Sequence, residues 1–303
     1  MRIVSFEVDG EAHLGVRSDG KILDLSRIRP DLPRDLGDIL RQGLLEEVAS
    51  AARIASPSAT ISAADVVFLP VMMKPGKVMC LGVNYVDHAS ESGFKRPEYP
   101  VVFMRAASSF VGHGAPIIRP SCSDQLDYEG ELVCFIGKSG RHIALADSLS
   151  HVAGYSIFND ASVRDYQMRT QQWTIGKNFD GTGGIGPDFV TADELPLGAS
   201  GLKIATRLNG DVVQSASTRE MIFDVANTIH ILSEVMTLEA GDMLIMGTPS
   251  GVGLARTPQL WMKPGYVCEV EIEGIGTLRN PIVAEAHSGR RIGLRPLMGN
   301  SAA

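Results

Sequence analysis

Apolar and polar positions alternate at short period from the start of the chain. "MRIVSFEVDGEAHLGVRSDGKILDLS" contains three runs of strand character, broken at Asp9-Gly10 and Asp19-Gly20. Asp-Gly between alternating runs signals a tight hairpin turn. The period then lengthens. In "DLGDILRQGLLEEVASAAR" the residues Leu36, Ile39, Leu40, Leu44 and Val48 recur at helical spacing and predict a helix. "ASPSAT" ends it. Residues 1–72 therefore read as a small N-terminal α/β domain, of a size that docks on a larger core.

From "KPGKVMCLGVNYVDHASESG" onward the texture changes. Strand-like runs recur in "VVFM", "GELVCFIG", "HVAGYSIFND", "LKIATRLNGDVV", "DMLIMG" and "YVCEVEIEGIGTLRNPIV", many of them alternating or β-branched. Helical signals are fewer: around Tyr85 to Glu91, after Asp160, and in "STREMIFDVANTIHILSEVM". In the last, Ile222, Val225, Ile229, Leu232 and Met236 make an apolar stripe that reads as core packing. Residues 73–286 form the main domain and 287–303 a tail poor in regular pattern. The fold class is α+β, dominated by β-structure.

Composition narrows the partners. With 303 residues and a formal net charge of -7, the chain has no electrostatic case for nucleic acid or an anionic membrane surface. Its longest apolar runs, such as "VVFLP" and "MLIM", are too short to span a bilayer. Glu7 and Asp9 arrive before any signal-like apolar region develops. Cys80, Cys122, Cys134 and Cys268 are widely spaced with no C-x-x-C pair, which suits reduced thiols and a cytoplasmic setting.

The candidate chemistry begins in "LDYEGELVCFIG". Glu129 and Glu131 lie two apart, so on a strand they share a side with the apolar Val133 and Phe135. An exposed edge strand carrying charge accounts for such a pair. The alternative is that something offsets the cost of burying two like charges. "HVAGYSIFNDASVRDYQ" adds Asp160 at a strand end, where a helix N-cap is its commonest job. Together the three carboxylates supply oxygen donors suited to Mg²⁺ or Mn²⁺ rather than zinc. Arg164 and Gln167 follow on one face of a short helix, and "TIGKNF" presents Lys177. A cation and an amide beside a metal can bind a carboxylate or stabilise developing negative charge. His88 and Glu91 lie three apart in "NYVDHASE", a spacing at which a carboxylate can orient a histidine base.

Two motifs are set aside. "GTGGIG" (181–186) spells a dinucleotide fingerprint, but "KNFD" precedes it and "PDFV" follows, so it reads as a glycine-rich loop. Ser250 in "MGTPSGVG" lacks the surroundings of a nucleophile elbow.

The stretches "GVNYVDH", "YEGELVCFIGK", "FNDASVRDYQ", "GKNFD", "SASTREMIFDV", "LEAGDMLIMGTPSGVG" and "EVEIEGIGTLRN" come in one order over most of residues 75 to 283. As a set they resemble the fumarylacetoacetate hydrolase family. The resemblance implies a mixed β-sandwich roll, usually a homodimer, with the metal on Glu129, Glu131 and Asp160. It implies the His88–Glu91 pair as general-base dyad and Lys177 as stabiliser of the developing anion. Arg164, Gln167 and Thr248 take positions that hold substrate. Tyr128 stands at a variable position and says little of the substrate.

The expectation is thus a Mg²⁺- or Mn²⁺-dependent hydrolase, with Ca²⁺ an alternative occupant in crystals. It would cleave a C–C bond of an acylpyruvate such as fumarylpyruvate or maleylpyruvate. The first alternative is a decarboxylase or isomerase of related 2-oxo acids. The second is a non-catalytic metabolite- or Ca²⁺-binding module.

Overall fold

The computed structural model describes residues 1–54, 59–91, 93 and 95–286, so the tail and the first four residues of "ASPSAT" lie outside it. The N-terminal hairpins form as their turns dictate. Strands Arg2–Val8, Glu11–Ser18 and Lys21–Asp24 are joined through Asp9 and Gly10 (φ 54° and 80°) and Asp19 and Gly20 (49° and 73°). Two consecutive residues at positive φ are what a two-residue hairpin turn needs to match strand twist.

The helical pattern that follows is two helices rather than one, Leu36–Arg41 and Leu45–Ile54. Gly43 takes φ 69°, its N–H reaches Leu40 O (3.1 Å), and Leu44 N–H reaches Ile39 O (3.0 Å). This is a Schellman stop. The apolar period runs through it because both helices cover the same buried cluster, which includes Leu36, Ile39, Leu40 and Val48.

Among the described residues the strands make a thirteen-stranded sheet, a five-stranded sheet and a two-stranded pair. The main path of the large sheet, with three short strands (Val67–Phe68, Phe110–Val111 and Gly183–Ile185) off it, runs Thr60–Ser62, Lys21–Asp24, Glu11–Ser18, Arg2–Val8, Phe189–Thr191, Val152–Asp160, Gly130–Ile136, Met243–Ile245, Val78–Gly82, Val101–Met104. Arg2–Val8 pairs with Phe189–Thr191, so the N-terminal strands extend the same sheet. The five-stranded sheet is Asp211–Ser217, Lys203–Leu208, Val267–Ile272, Gly276–Ala284, Ile117–Arg119.

Strand Gly130–Ile136 is central, paired on both sides and buried at every position. That excludes the edge-strand account of its glutamates. Its even-numbered residues Leu132, Cys134 and Ile136 join a core with Ile204, Val270 and Ile272 of the smaller sheet and Val225, Ile229 and Leu232 of helix Val225–Val235. Val133 and Phe135 face another cluster with Ile3, Leu14, Phe158 and Phe189. Ile222 precedes the helix, but the rest of its predicted stripe packs as expected, Met236 at the margin. Gly130 separates the two glutamates because the smaller sheet lies directly on its even face. A Cβ there would come 2.3 Å from Thr206 Oγ1.

"GTGGIG" is more than the loop expected. Gly183–Ile185 is a strand, antiparallel to Val152–Asp160 and parallel to Phe110–Val111. Its glycines serve close approach: a Cβ on Gly184 would meet Asn280 Oδ1 at 2.5 Å.

Candidate active site

Strand Gly130–Ile136 carries Glu131, Glu129 immediately precedes it, and the neighbouring strand Val152–Asp160 ends on Asp160. All three are buried, and each offers one carboxylate oxygen to a set lying within 4.8 Å. Asp160 is no helix cap, since helix Arg164–Gln167 starts beyond it with Val163 at the cap position. Helix Thr174–Lys177 delivers Lys177. Gly176 lets the two short helices touch, because a Cβ there would stand 2.4 Å from Gln167 N.

Lys177 Nζ bridges Glu129 Oε2 (2.6 Å) and Asp160 Oδ2 (2.5 Å). Arg164 Nη1 reaches Glu129 Oε1 (2.7 Å) and Gln167 Oε1 (2.8 Å), while its Nε donates to Asp127 Oδ2 (2.8 Å). Arg105 Nη1 pairs with Asp160 Oδ1. Glu131 Oε2 accepts the Gly247 N–H at 2.6 Å. Burial opposes the charge on Glu129, but Lys177 and Arg164 outweigh it and hold its pKa down to about 2. Glu131 goes the other way: burial and the nearby Asp160 and Glu129 charges push it well above the ordinary carboxylate range. Burial opposes the Lys177 charge too, yet Asp160 and Glu129 raise its pKa and keep it an ammonium.

Charge and donor type both fit a divalent cation. Four buried carboxylates, Asp127, Glu129, Glu131 and Asp160, face three buried cations, Arg105, Arg164 and Lys177. By formal charge the carboxylates exceed the cations by one, the repulsion that raises the Glu131 pKa is what a bound cation would relieve, and the three clustered groups are all oxygen donors, as Mg²⁺ or Mn²⁺ prefers.

Across a cavity of about 190 Å³ lie His88 and Glu91, on helix Val86–Glu91. His88 Nδ1 is 2.9 Å from Glu91 Oε1. Facing a carboxylate, Nδ1 carries the hydrogen and donates it, leaving Nε2 as the basic nitrogen. Glu91 in turn accepts the Gly251 N–H (3.0 and 2.9 Å). Burial works against its charge, but His88 and that N–H lower its pKa overall. Glu129, Glu131, Arg164, Gln167, Lys177, His88, Glu91 and Thr248 all line the one cavity, whereas Asp160 stands behind Lys177. Thr248 gives its hydroxyl hydrogen to Gly130 O (3.1 Å) and accepts from Gln214 (2.9 Å). Towards a ligand it is left with an acceptor and a methyl.

Two residues escaped the sequence reading. Asp127 is fully buried and accepts four hydrogen bonds, from Arg164 and the N–H groups of Tyr128, Gly253 and Leu254. Its signal was present: Asp127, Glu129 and Glu131 stand at period two. Arg105 had none, because its partner lies 55 positions away.

The model of the fumarylacetoacetate hydrolase C-terminal region matches residues 77–283, and the chain belongs to that family. The β-dominated fold with mixed sheets agrees with its solved members. Rat oxaloacetate tautomerase Fahd2a, mitochondrial, is 39% identical over 290 residues, covering 93% of this chain and 92% of that one. The fumarylacetoacetate hydrolase of psychrophilic Exiguobacterium antarcticum superposes with TM-score 0.83 at 37% identity, covering 94% of this chain and 100% of that chain. Maleylpyruvate hydrolase from Sphingobium sp. SYK-6, solved with manganese(II) and pyruvate, gives 0.77 at 27%, with the same coverage. Among the described residues no helix is long and apolar enough to cross a membrane.

Proposed function

We propose that the protein interconverts the keto and enol forms of a short 2-oxo dicarboxylic acid of the oxaloacetate type, with a divalent metal. The observation that carries this reading is the His88–Glu91 dyad facing the carboxylate cluster across a cavity of only about 190 Å³. Pockets for drug-sized ligands run roughly 300–1,000 Å³, so the space suits a small organic acid rather than a larger ligand. The similarity to proteins named oxaloacetate tautomerase supports it. The hydrolase expected from sequence becomes the second reading, and isomerisation, its alternative, moves ahead.

A divalent cation held by Glu129, Glu131 and Asp160 would polarise the 2-oxo group and acidify the adjacent C3–H. The chain's own groups do the rest. His88 Nε2 takes the C3 proton, and Glu91 stabilises the imidazolium that results. Lys177, held as an ammonium, faces the negative charge that develops on the enolate oxygen. His88 returns the proton to that oxygen, so the reaction neither gains nor loses atoms. Arg164 Nη2 is buried without a partner; a buried donor of this kind is ordinarily satisfied, and a substrate carboxylate would satisfy it. Gln167 fixes the guanidinium plane through Nη1.

Stopped-flow absorbance of the enol tests this directly. Mn²⁺-loaded protein should speed its decay well beyond Mn²⁺ in buffer, and His88→Ala should lose about 10² to 10⁴-fold, as general-base removal commonly does. No acceleration of ketonisation, together with pyruvate release from acylpyruvates, would establish the second reading, in which the dyad activates water. Binding without turnover of either substrate would leave only a metabolite-binding module. We also expect a homodimer, with the last strand of the sheet as its candidate face. There Val101, Val102 and Met104 are exposed, and sedimentation equilibrium checks the mass.

A further inference from the structure

Arg105 directly follows strand Val101–Met104, and its side chain is fully shielded from solvent. A buried guanidinium is costly unless its donors are matched, and here they are matched in a fixed pattern. Nη1 donates to Asp160 Oδ1 and to Ala161 O (3.3 Å). Nη2 donates to Thr182 Oγ1 (3.0 Å) and Ser109 Oγ (3.2 Å), and Nε to Ser109 Oγ (3.3 Å). Both hydroxyls have spent their own hydrogens elsewhere, Ser109 on Ala106 O (2.8 Å) and Thr182 on Phe179 O (2.7 Å). Toward Arg105 they can act only as acceptors. The space is reserved as well: a Cβ on Gly183 would lie 3.0 Å from Nη2, and Phe158 places its ring beneath the guanidinium.

We propose that Arg105 is a positioning residue for the metal centre. Its fork is anchored by Ser109 and Thr182 and holds Oδ1 of Asp160, which leaves Oδ2 turned to Lys177 beside Glu129 and Glu131. The inference rests on the reading of Asp160 as a metal ligand. It makes a different claim from charge balance, because a cation beside the cluster also repels an incoming metal. The two effects have opposite signs and can be separated.

The test is Mn²⁺ titration calorimetry on the full-length chain, with far-UV circular dichroism to confirm folding. Arg105→Lys keeps the charge but cannot reach Asp160, Ser109 and Thr182 together. It should weaken Mn²⁺ binding about 10- to 100-fold, the usual loss when a group supporting a ligand is removed. Thr182→Val removes one anchor at nearly constant volume and should weaken binding about two- to tenfold, less than the full worth of a hydrogen bond to a charged group because Ser109 still holds Nη2. If Arg105→Lys does not fold, Thr182→Val decides alone. Unchanged affinity in Arg105→Lys, with tighter binding in Arg105→Met, would reduce Arg105 to a repelling charge and overturn the proposal. A lowered melting temperature with wild-type Mn²⁺ affinity would make it a packing residue and do the same. Asp160→Asn separates the two layers. Wild-type affinity there would remove the ligand reading and the proposal with it. Lost affinity there, beside unchanged Arg105→Lys, would overturn the role of Arg105 alone.

Discussion

Asp127→Asn changes one atom and should unsettle both the fold and the substrate pocket. Each oxygen of Asp127 accepts two hydrogen bonds. Oδ1 takes Tyr128 N–H (2.9 Å) and Gly253 N–H (2.8 Å), while Oδ2 takes Leu254 N–H (2.9 Å) and Arg164 Nε (2.8 Å). Whichever way an asparagine amide is turned, its NH₂ faces two donors. A buried donor left without an acceptor costs about 1–3 kcal/mol, so two cost roughly 2–6 kcal/mol. One term runs the other way. Burial raises the pKa of Asp127 against the pull of Arg164, so removing the charge recovers some desolvation energy. Arg164 is not abandoned either, since Glu129 and Gln167 still hold Nη1. The expected net loss is about 2–4 kcal/mol, a large share of the 5–15 kcal/mol that ordinarily separates native from unfolded chains.

Urea unfolding in the presence of a chelator measures it. With a slope near 3 kcal/mol/M, the upper end of the common range, the midpoint should fall by about 0.7–1.3 M. A second readout is kinetic. With the NH₂ turned to the Oδ2 side, Nε is freed, the Arg164 fork can swing, and KM for oxaloacetate should rise more than kcat falls, because Arg164 binds and does not transfer the proton. A midpoint shift under about 0.3 M with unchanged KM would mean that Asp127 neither satisfies these donors nor sets the Arg164 geometry.

Glu131→Gln should abolish the Mn²⁺-induced rise in melting temperature while raising that temperature in chelator, because it removes the carboxylate whose pKa burial and its anionic neighbours push up; differential scanning calorimetry with and without Mn²⁺ reads both. The Glu91 contact should survive mild acid: its folded pKa is lowered, so its stabilisation is complete above the unfolded value of about 4.3 and lost as pH falls through the lower folded one. The stability difference between wild type and Glu91→Gln, measured by urea titration, should therefore be flat down to about pH 5, begin to shrink near the unfolded value of about 4.3, and be gone only below the lower folded pKa. Deleting residues 1–72 should cost stability before it costs chemistry, since it removes Ile3 and Leu14 from the cluster that holds Val133, Phe135 and Phe189 and leaves strand Phe189–Thr191 paired on one side only, with Val152–Asp160. A soluble, monodisperse fragment with wild-type melting temperature and Mn²⁺ affinity would contradict that.

What could be read in the chain follows the range of the interactions. The hairpin turns were legible because Asp-Gly carries its positive φ locally. The three carboxylates were legible because burial of charge at strand parity is a local anomaly. His88 and Glu91 were legible because three residues is one helical turn. Gly43 was passed over because the apolar period does not stop at a Schellman turn when both helices face one core. "GTGGIG" was read as a loop because glycine lowers strand propensity, whereas close contacts with Arg105, Phe158 and Asn280 require glycine there. Arg105 was invisible. Its partners are brought to it by sheet order, and nothing near "FMRAAS" announces a carboxylate.

The same residues can serve proton transfer or hydrolysis, so the choice falls to what surrounds them. Both reactions begin with an enolisable 2-oxo acid and a base, and both gain from Lys177 and a bound metal. Hydrolysis further needs a water held against the distal carbonyl, within reach of His88 Nε2, and room for the acyl group that leaves. Apolar side chains share the lining with the charged and polar ones: Leu81, Val83, Phe103, Val252 and Leu254. These side chains offer no hydrogen-bond partner, and an ordered water needs two to four. Trp173 closes in beside Gly82, where even a methyl group would stand 2.1 Å from the indole, and its ring packs edge-on against Phe103. Apolar surface of this kind excludes solvent and strengthens the electrostatic contacts that stabilise an enolate, whereas a nucleophilic water would have to be held by the polar part of the lining, His88, Arg164 and Thr248. Because the polar groups that could hold such a water are the same ones that would bind a 2-oxo acid, the measured ratio of enol decay to pyruvate release, and not the lining alone, separates the proposed proton transfer from hydrolysis.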